Sequence, residues 1–112
     1  MANAPLREPT FLILTALAAR PQHGYGILRD VAEISQGRVT LLAGTLYAAL
    51  DRLSADGWVE VDREEVVDGR LRRYYRLTEP GATRLAAEVD RLQAHTRAAQ
   101  QRLRARLSGG LA

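Results

Sequence analysis

The residues best suited to chemistry are polar side chains beside an apolar stripe in the segment from Leu42 to Val59. The stripe has the spacing of a helix and consists of Leu42, Leu46, Leu50 and Leu53. A short amphipathic helix followed at once by a two-stranded ribbon is the layout of a winged helix-turn-helix, so we interpret this helix as a candidate recognition helix. Its Gly44, Thr45, Tyr47 and Arg52 are then the positions that we expect to contact base edges in a DNA major groove. Hydroxyl and guanidinium groups can hydrogen-bond to bases, and a glycine lets the backbone approach closely. Tyr47 has a second interpretation as a core residue, because it lies one position from the stripe.

Three arginines next to a predicted turn form a second candidate site. Asp68-Gly69 is a strong turn signal, and Arg70, Arg72 and Arg73 follow it. Arginines at the tip of a hairpin can contact phosphates or enter the minor groove. Side-chain alternation along a strand could instead turn Arg73 toward the body of the protein. A solvated run of charge is the alternative interpretation of the whole cluster.

His23 and Tyr25 lie where a helix is predicted to begin. Backbone N–H groups and the helix dipole favour a phosphate at such a position. A capping or packing role is an equally good interpretation of His23. These two residues complete the predicted set of DNA contacts.

Composition argues against several other kinds of chemistry. The 112 residues contain no cysteine, so neither a disulfide framework nor a thiolate metal site is possible. No nucleophile elbow, phosphate-binding loop or metal-ligand cluster appears, and we predict a protein that is not an enzyme and has no cofactor or metal. All 16 basic residues are arginine, which suits phosphate binding but also follows from a GC-rich genome.

The length and the hydropathy pattern indicate a small protein of one domain. No apolar run approaches the roughly 20 residues of a membrane span, and the N-terminus lacks the pattern of a signal peptide. We therefore expect a soluble, cytoplasmic protein without a membrane partner.

The first half of the chain has the pattern of a helix-turn-helix. Residues 1–9 are predicted to form a flexible arm, and the almost wholly apolar run Thr10–Ala19 to form a helix. A helix without a polar face is buried on more than one side, so we expect Phe11 and Leu14 to contact a second subunit. The second helix is predicted over Tyr25–Ser35.

Two strands follow the Leu42 helix, which Thr40 and Gly57 are predicted to cap. Alternating residues predict strands over Trp58–Glu64 and Leu71–Leu77, joined at the turn into a hairpin that we call the wing. The predicted fold is mainly α with a small β-hairpin (α+β), a winged helix-turn-helix over residues 10–78.

The C-terminal part is predicted to be one long helix over residues 79–107 with a tail at 108–112, and Thr78 is its expected cap. A heptad-like seam, which we interpret as a dimer interface, consists of Leu85, Val89, Leu92, Thr96, Ala99 and Leu103. Arg84 and Glu88 are predicted on the outer face. The two small residues midway along the seam could leave room for a small effector.

Several different short motifs follow one another along the chain. They are His23-Gly24-Tyr25-Gly26, Gly44-Thr45-Leu46-Tyr47, Ala49-Leu50, Arg52-Leu53, Asp56-Gly57-Trp58-Val59, Arg72-Arg73-Tyr74-Tyr75-Arg76-Leu77-Thr78 and Gly81. Together they resemble the PadR family of bacterial transcriptional regulators, specifically its short subgroup with a single C-terminal helix. Ala43 and Ala48 depart from the family pattern, which often has proline there, and the departures could alter the pitch or the sequence preference of the helix.

The resemblance implies a homodimer with two winged-helix heads, joined through the C-terminal helices and the first helix. It also implies repression of transcription at operator DNA and release by a small, often apolar, molecule or another signal. We accordingly predict a dimeric, sequence-specific DNA-binding regulator acting on a palindromic operator. The alternative is a winged-helix protein–protein interaction module without specific DNA binding, which the acidic segment Glu60–Glu65 mildly favours.

Overall fold

Four helices and a small antiparallel sheet make up the computed structural model, which describes residues 4–109. The elements in chain order are α1 (Glu8–Ala19), β1 (Gln22–His23), α2 (Gly24–Ile34), α3 (Ala43–Ala55), β2 (Val59–Val67), β3 (Arg70–Leu77) and α4 (Glu79–Leu107). The strand order is β1-β3-β2, and both pairings are antiparallel. This arrangement confirms the predicted α+β winged helix-turn-helix with one long C-terminal helix.

Helix α1 lies at the centre of the hydrophobic core. Its buried apolar side chains are Leu12, Ile13, Leu14, Ala16 and Leu17, in agreement with a helix that has no polar face. Leu14 is fully buried within its own chain, so no side-chain surface is left for a second subunit, and its assignment to the dimer interface is wrong. The helix begins at Glu8, two residues earlier than predicted, because Pro9 fits the first turn of a helix.

The segment before α1 packs against the protein, contrary to the prediction of a flexible arm. Leu6 packs on the hydrophobic core, and its backbone N–H donates to Glu88 Oε2 of α4 at 3.1 Å. Arg84 of α4 donates to the carbonyl oxygen of Ala4. Residues 1–3 of the predicted arm and 110–112 of the predicted tail lie outside the described residues.

Arg84 and Glu88 are buried, so the prediction that they lie on the outer face of α4 is wrong. Their exposed fractions are 8% and 2%. Arg91 donates to Glu88 and is the main cause that lowers the pKa of this carboxyl below its ordinary value, against the opposing effect of burial. The guanidinium of Arg84 lies 3.9 Å from Glu88 and 5.5 Å from the centre of the Trp58 ring. The cluster thus connects α4 to the N-terminal segment and to the residue before β2.

Helix α3 begins later than its apolar stripe predicted. Leu42 is the N-cap residue and is 76% exposed, so it does not belong to the core. No side chain caps this end, and the prediction that Thr40 caps the helix is wrong. The other stripe residues are buried together with Ala49, namely Leu46, Leu50 and Leu53.

Strands β2 and β3 form the wing. Asp68 and Gly69 have φ angles of 53° and 75°, the left-handed backbone that a tight two-residue hairpin turn requires. Strand β2 continues three residues past the predicted end at Glu64, because an irregularity between Val61 and Arg63 interrupts the alternation of side chains.

A two-residue strand, β1, joins the wing and was not predicted. Gln22 pairs with Tyr75, and His23 pairs with Tyr74. Since α2 starts at the next residue, this pairing places the beginning of α2 beside the wing.

The start of α4 is fixed to the segment that follows α3. Thr78 caps α4 as predicted, since its hydroxyl oxygen accepts from the Gly81 N–H at 3.0 Å and the hydroxyl donates to the Gly57 carbonyl at 2.6 Å. The Thr78 N–H donates to the Trp58 carbonyl at 3.1 Å. Gly81 packs so closely that a Cβ at this position would lie 2.1 Å from the same Trp58 oxygen.

Candidate nucleic-acid interface

The outer face of α3 carries the predicted base contacts. Thr45, Tyr47 and Arg52 are exposed on the sides of the helix that are turned away from the buried leucines. A Cβ at Gly44 would meet no other atom within 4 Å, so packing inside the protein does not require glycine here. The open space above Gly44 is therefore available to a partner.

Tyr47 lies against the start of α2 and is not a core residue. Its side chain is 46% exposed, and a Cβ at Gly24 would stand only 2.2 Å from its hydroxyl oxygen. The glycine of the His23-Gly24-Tyr25-Gly26 motif therefore makes room for Tyr47. The contact thus brings this motif and the Gly44-Thr45-Leu46-Tyr47 motif together in the fold.

His23 caps α2, which supports the second of its two interpretations. Its Nδ1 accepts from the Gly26 N–H at 3.1 Å, so this nitrogen carries no proton. Burial and, next, the positive charge of Arg72 lower the pKa of His23 below its ordinary value. The ring meets the Tyr74 ring edge-on at 5.3 Å between centroids and stacks with Tyr25 at 6.5 Å. Tyr25 itself is 66% exposed, so its ring and hydroxyl are accessible.

The three wing arginines differ in their surroundings. Arg73 donates to Glu64 at 2.8 Å, and this hydrogen bond raises the pKa of its guanidinium. Arg70 and Arg72 are exposed, and neither forms an ion pair with any carboxylate of residues 4–109. Arg70 and Arg72 are therefore the free cations near the tip of the wing, whereas Arg73 is partly neutralised.

A cleft of about 510 Å³ brings most of these residues together. It lies between α3, the start of α2 and the wing tip, and its lining residues are His23, Gly24, Tyr25, Tyr47, Val67, Asp68, Arg70, Leu71, Arg72 and Arg73. The sequence did not reveal this juxtaposition, because β1 is too short to show a strand pattern.

Thr45 and Arg52 lie on the other flank of α3, away from this cleft. They border a second depression of about 440 Å³ together with Arg7 and Pro9 from the start of α1. Arg7 was not among the predicted site residues, because it falls in the segment that was expected to be flexible. The structure therefore places the wing arginines beyond one flank of the helix and Arg7 beyond the other.

The acidic residues of β2 are engaged with arginines of the wing. Glu60 and Asp62 accept from Arg76, Asp62 also pairs with Arg63 at 3.0 Å, and Glu64 pairs with Arg73. Glu65 accepts from the Tyr74 hydroxyl at 2.8 Å. The acidic segment is thus largely neutralised within the wing and leaves little free negative charge for a basic partner.

The seam of α4 is divided between the core and solvent. Leu85 packs against the hydrophobic core, whereas Leu92 and Leu103 are 37% and 60% exposed. Phe11 of α1 and residues of α4 line a shallow depression of about 340 Å³; the α4 residues are Val89, Leu92, Gln93, Thr96, Arg97 and Gln100. From residue 92 to residue 107, every side chain except Ala98 is exposed.

Residues 4–109 contain neither a metal-binding cluster nor a membrane-spanning helix. Residues 4–109 contain no group of three or more histidine and acidic side chains placed to hold a metal ion. Within the same residues, no helix is both long and apolar enough to span a membrane.

Comparisons with known proteins agree with this architecture. Residues 13–87 match the Transcriptional regulator PadR-like family. A segment of 56 residues is 45% identical to Transcriptional regulator Rv3488 of Mycobacterium tuberculosis, covering 50% of this chain and 51% of that protein. The match thus spans about half the length of that curated relative.

Solved structures share the fold. A PadR family transcription regulator from Clostridium difficile R20291 superposes with a TM-score of 0.73 at 25% identity, covering 87% of this chain and 99% of the other. Bacillus subtilis PadR in complex with operator DNA has a TM-score of 0.64 at 22% identity, covering 71% of this chain and 46% of the other, a likeness of fold alone. The family and these relatives are transcriptional regulators and not enzymes, and the chain belongs to the PadR-like family of transcriptional regulators.

Proposed function

We propose that the protein is a homodimeric, sequence-specific DNA-binding repressor of a palindromic operator. The observation that carries the proposal is the single cleft bordered by α3, the start of α2 and the two unpaired arginines of the wing. An exposed helix fits the major groove, and a flanking hairpin with free guanidinium groups suits the phosphate backbone. The DNA complex of Bacillus subtilis PadR, a structure of the same fold, adds support.

Helix α3, the wing and the start of α2 have distinct roles in this proposal. Helix α3 enters the major groove, where Thr45, Tyr47 and Arg52 reach base edges and Gly44 allows a close approach. Arg70 and Arg72 contact phosphates on one side. The N-terminus of α2, with Tyr25 and the cap His23, receives a phosphate on backbone N–H groups, and the dipole of the helix strengthens this contact.

Dimerisation would proceed through α4 and the exposed edge of α1. The exposed leucines of the seam and the depression beside Phe11 offer an apolar strip that a second copy would cover. Val89, Leu92 and Thr96 lie at the centre of this strip, and Ala99 and Leu103 continue it along the helix. In the dimer, a small apolar effector would bind where Thr96 and Ala99 thin the seam, and Phe11 would supply the aromatic ring that α4 itself lacks.

Fluorescence anisotropy tests the DNA-binding proposal. The protein is titrated against a duplex from immediately upstream of its own gene and against a random duplex of equal length, at several salt concentrations. We expect tighter binding to the upstream duplex and a loss of affinity as salt rises, because released counterions drive the association. Equal affinity for both duplexes would contradict the proposal of a specific regulator.

A double variant separates DNA binding from the interaction-module alternative. Replacing Arg70 and Arg72 with alanine should weaken binding to both duplexes. It should also reduce the slope of the logarithm of the binding constant against the logarithm of the salt concentration, by up to about 2 per protomer. The matched control replaces Arg102 and Arg104, exposed arginines near the far end of α4, with alanine. Similar losses in both double variants would mean that net charge, and not the wing, determines affinity. The pairing of the β2 carboxylates within the wing further disfavours the alternative.

A charge on the seam tests the proposed dimer. Leu92→Glu should shift the protein toward the monomer in sedimentation equilibrium, because it places a carboxylate in the apolar strip. Ala94→Glu adds the same charge on the opposite side of α4 and should leave the dimer intact. A monomeric wild-type protein at micromolar concentration would refute the dimer.

A further inference from the structure

The face of α3 opposite its buried leucines, which we call the outermost line, has only one side chain that is longer than a methyl group, a carboxylate. The positions opposite Leu46, Leu50 and Leu53 on the helix, all of them exposed, are Gly44, Ala48, Asp51 and Ala55. Three of these four side chains do not extend beyond a methyl group. Asp51 is therefore the one hydrogen-bonding side chain on the line that would approach the floor of a groove first.

Asp51 differs from the four carboxylates of β2 in having no partner. Its side chain forms no hydrogen bond and no ion pair with any residue between 4 and 109, although Arg52 is its neighbour in sequence. The wing carboxylates Glu60 and Glu64 are each held by an arginine. The fold thus leaves the carboxylate of Asp51 free on the surface assigned to DNA.

An unpaired carboxylate facing a polyanion lowers affinity unless the DNA offers it a hydrogen-bond donor. The donors in the major groove are the N4 amino group of cytosine and the N6 amino group of adenine. In adenine the adjacent N7 is an acceptor and repels the second carboxylate oxygen, whereas cytosine has no acceptor beside N4. Cytosine is accordingly the base that a carboxylate best accepts from.

We propose that Asp51 is a specificity-determining residue that accepts a hydrogen bond from N4 of a cytosine in each half of the operator. The proposal rests on the DNA-binding function proposed above and deepens it. It assigns a base contact to a negatively charged residue, whereas most charged residues that contact DNA are positively charged.

The charge of Asp51 makes the prediction specific, because its loss should weaken specific binding without weakening non-specific binding. Asp51→Ala should weaken binding to duplexes selected by the wild-type protein about fivefold, since the contact to the base is lost. The same variant should bind a random duplex as tightly as the wild type or more tightly, since one negative charge near the phosphates is gone. Asp56→Asn is the matched control, because it removes an exposed carboxylate at the C-terminal end of the same helix.

The test is a selection of binding sites from a library of duplexes with a random core, carried out with the wild type, Asp51→Ala and Asp56→Asn. Anisotropy then measures the affinity of each protein for the selected duplexes and for random duplexes. We expect a required C·G pair in each wild-type half-site, relaxed to any base for Asp51→Ala and kept for Asp56→Asn. An unchanged consensus for Asp51→Ala, or a rise in its affinity for both kinds of duplex, overturns the assignment of Asp51 alone. A wild-type selection that recovers no preferred sequence overturns the proposed DNA-binding function, and this inference with it.

Discussion

Replacing Gly81 with alanine should strongly destabilise the protein, although alanine is the better helix former. The new Cβ would stand 2.1 Å from the Trp58 carbonyl oxygen and 2.9 Å from Leu77 Cδ1. The obstacle is backbone, so no side-chain rotation relieves it, and α4 or the Trp58 peptide must move by about 1 Å or more. The same carbonyl oxygen accepts the Thr78 N–H, so the movement also strains the cap of α4.

The size of the effect follows from three contributions. Overpacking costs about 1–3 kcal/mol and a weakened hydrogen bond about 1 kcal/mol, while the higher helix propensity of alanine returns at most about 1 kcal/mol. The net loss of unfolding free energy is about 1–3 kcal/mol. For a chain of this size, each kcal/mol lowers Tm by about 4–8 °C, so Tm should fall by about 5–20 °C.

Thermal unfolding followed by circular dichroism measures this change, at one fixed protein concentration because a dimer's Tm depends on it. Gly44→Ala is the matched control, since its Cβ enters open space in the first turn of α3 and only the gain in helix propensity remains. The Tm of Gly44→Ala should equal or exceed that of the wild type. If Gly81→Ala behaves like Gly44→Ala, the close packing at the start of α4 does not contribute as argued.

Three other substitutions test separate parts of the structure. The wild type should lose stability as pH falls below about 6.5, because the pKa of His23 is lowered in the fold. His23→Asn should keep the α2 cap and remove this loss. Tm measured against pH checks the prediction, and parallel curves for the two proteins would contradict it. Glu88→Gln should lower Tm at pH 7, because it removes the counter-charge of Arg91 and of the buried Arg84. The difference in Tm from the wild type should shrink as pH drops below about 4.5, because the pKa of Glu88 is lowered in the fold; a difference that stays constant with pH would refute the role of the charge. Gly24→Ala should displace Tyr47 and lower the affinity for DNA measured by anisotropy. Adding Gly24→Ala to Tyr47→Ala should lower the affinity no further. Additive losses of affinity would show that Gly24 acts independently of Tyr47.

The sequence predicted those parts of the fold that depend on local pattern. The turn at Asp68 and Gly69, the Thr78 cap and the extent of α4 follow from residue types within a few positions of one another. The all-apolar composition of α1 likewise predicted burial on several sides, although it could not tell which partner covers Leu14.

The errors arose where distant segments meet. Arg84 and Glu88 are buried because the N-terminal segment covers them, and charged residues are otherwise expected outside. Strand β1 is defined by its pairing with β3, and a segment of two residues is too short for a hydropathy pattern to predict such a pairing. The DNA contacts were predicted from residue type and helix position and remain a prediction, whereas the proximity of Tyr25 and Tyr47 to the wing arises from tertiary packing.

The fixed start of α4 has a mechanical consequence in the proposed dimer. Thr78 and Gly81 hold the helix to Gly57 and Trp58, directly after α3. Under the proposed function, α4 would therefore act as a lever attached at the base of the helix that enters the major groove. At about 1.5 Å per residue, the 29 residues of α4 give this lever a length of about 44 Å, so a rotation of about 5° at its attachment displaces the far end by about 4 Å. Half-sites one turn of DNA apart tolerate little such error, so in the proposed dimer these four residues would help to set the distance between the two α3 helices.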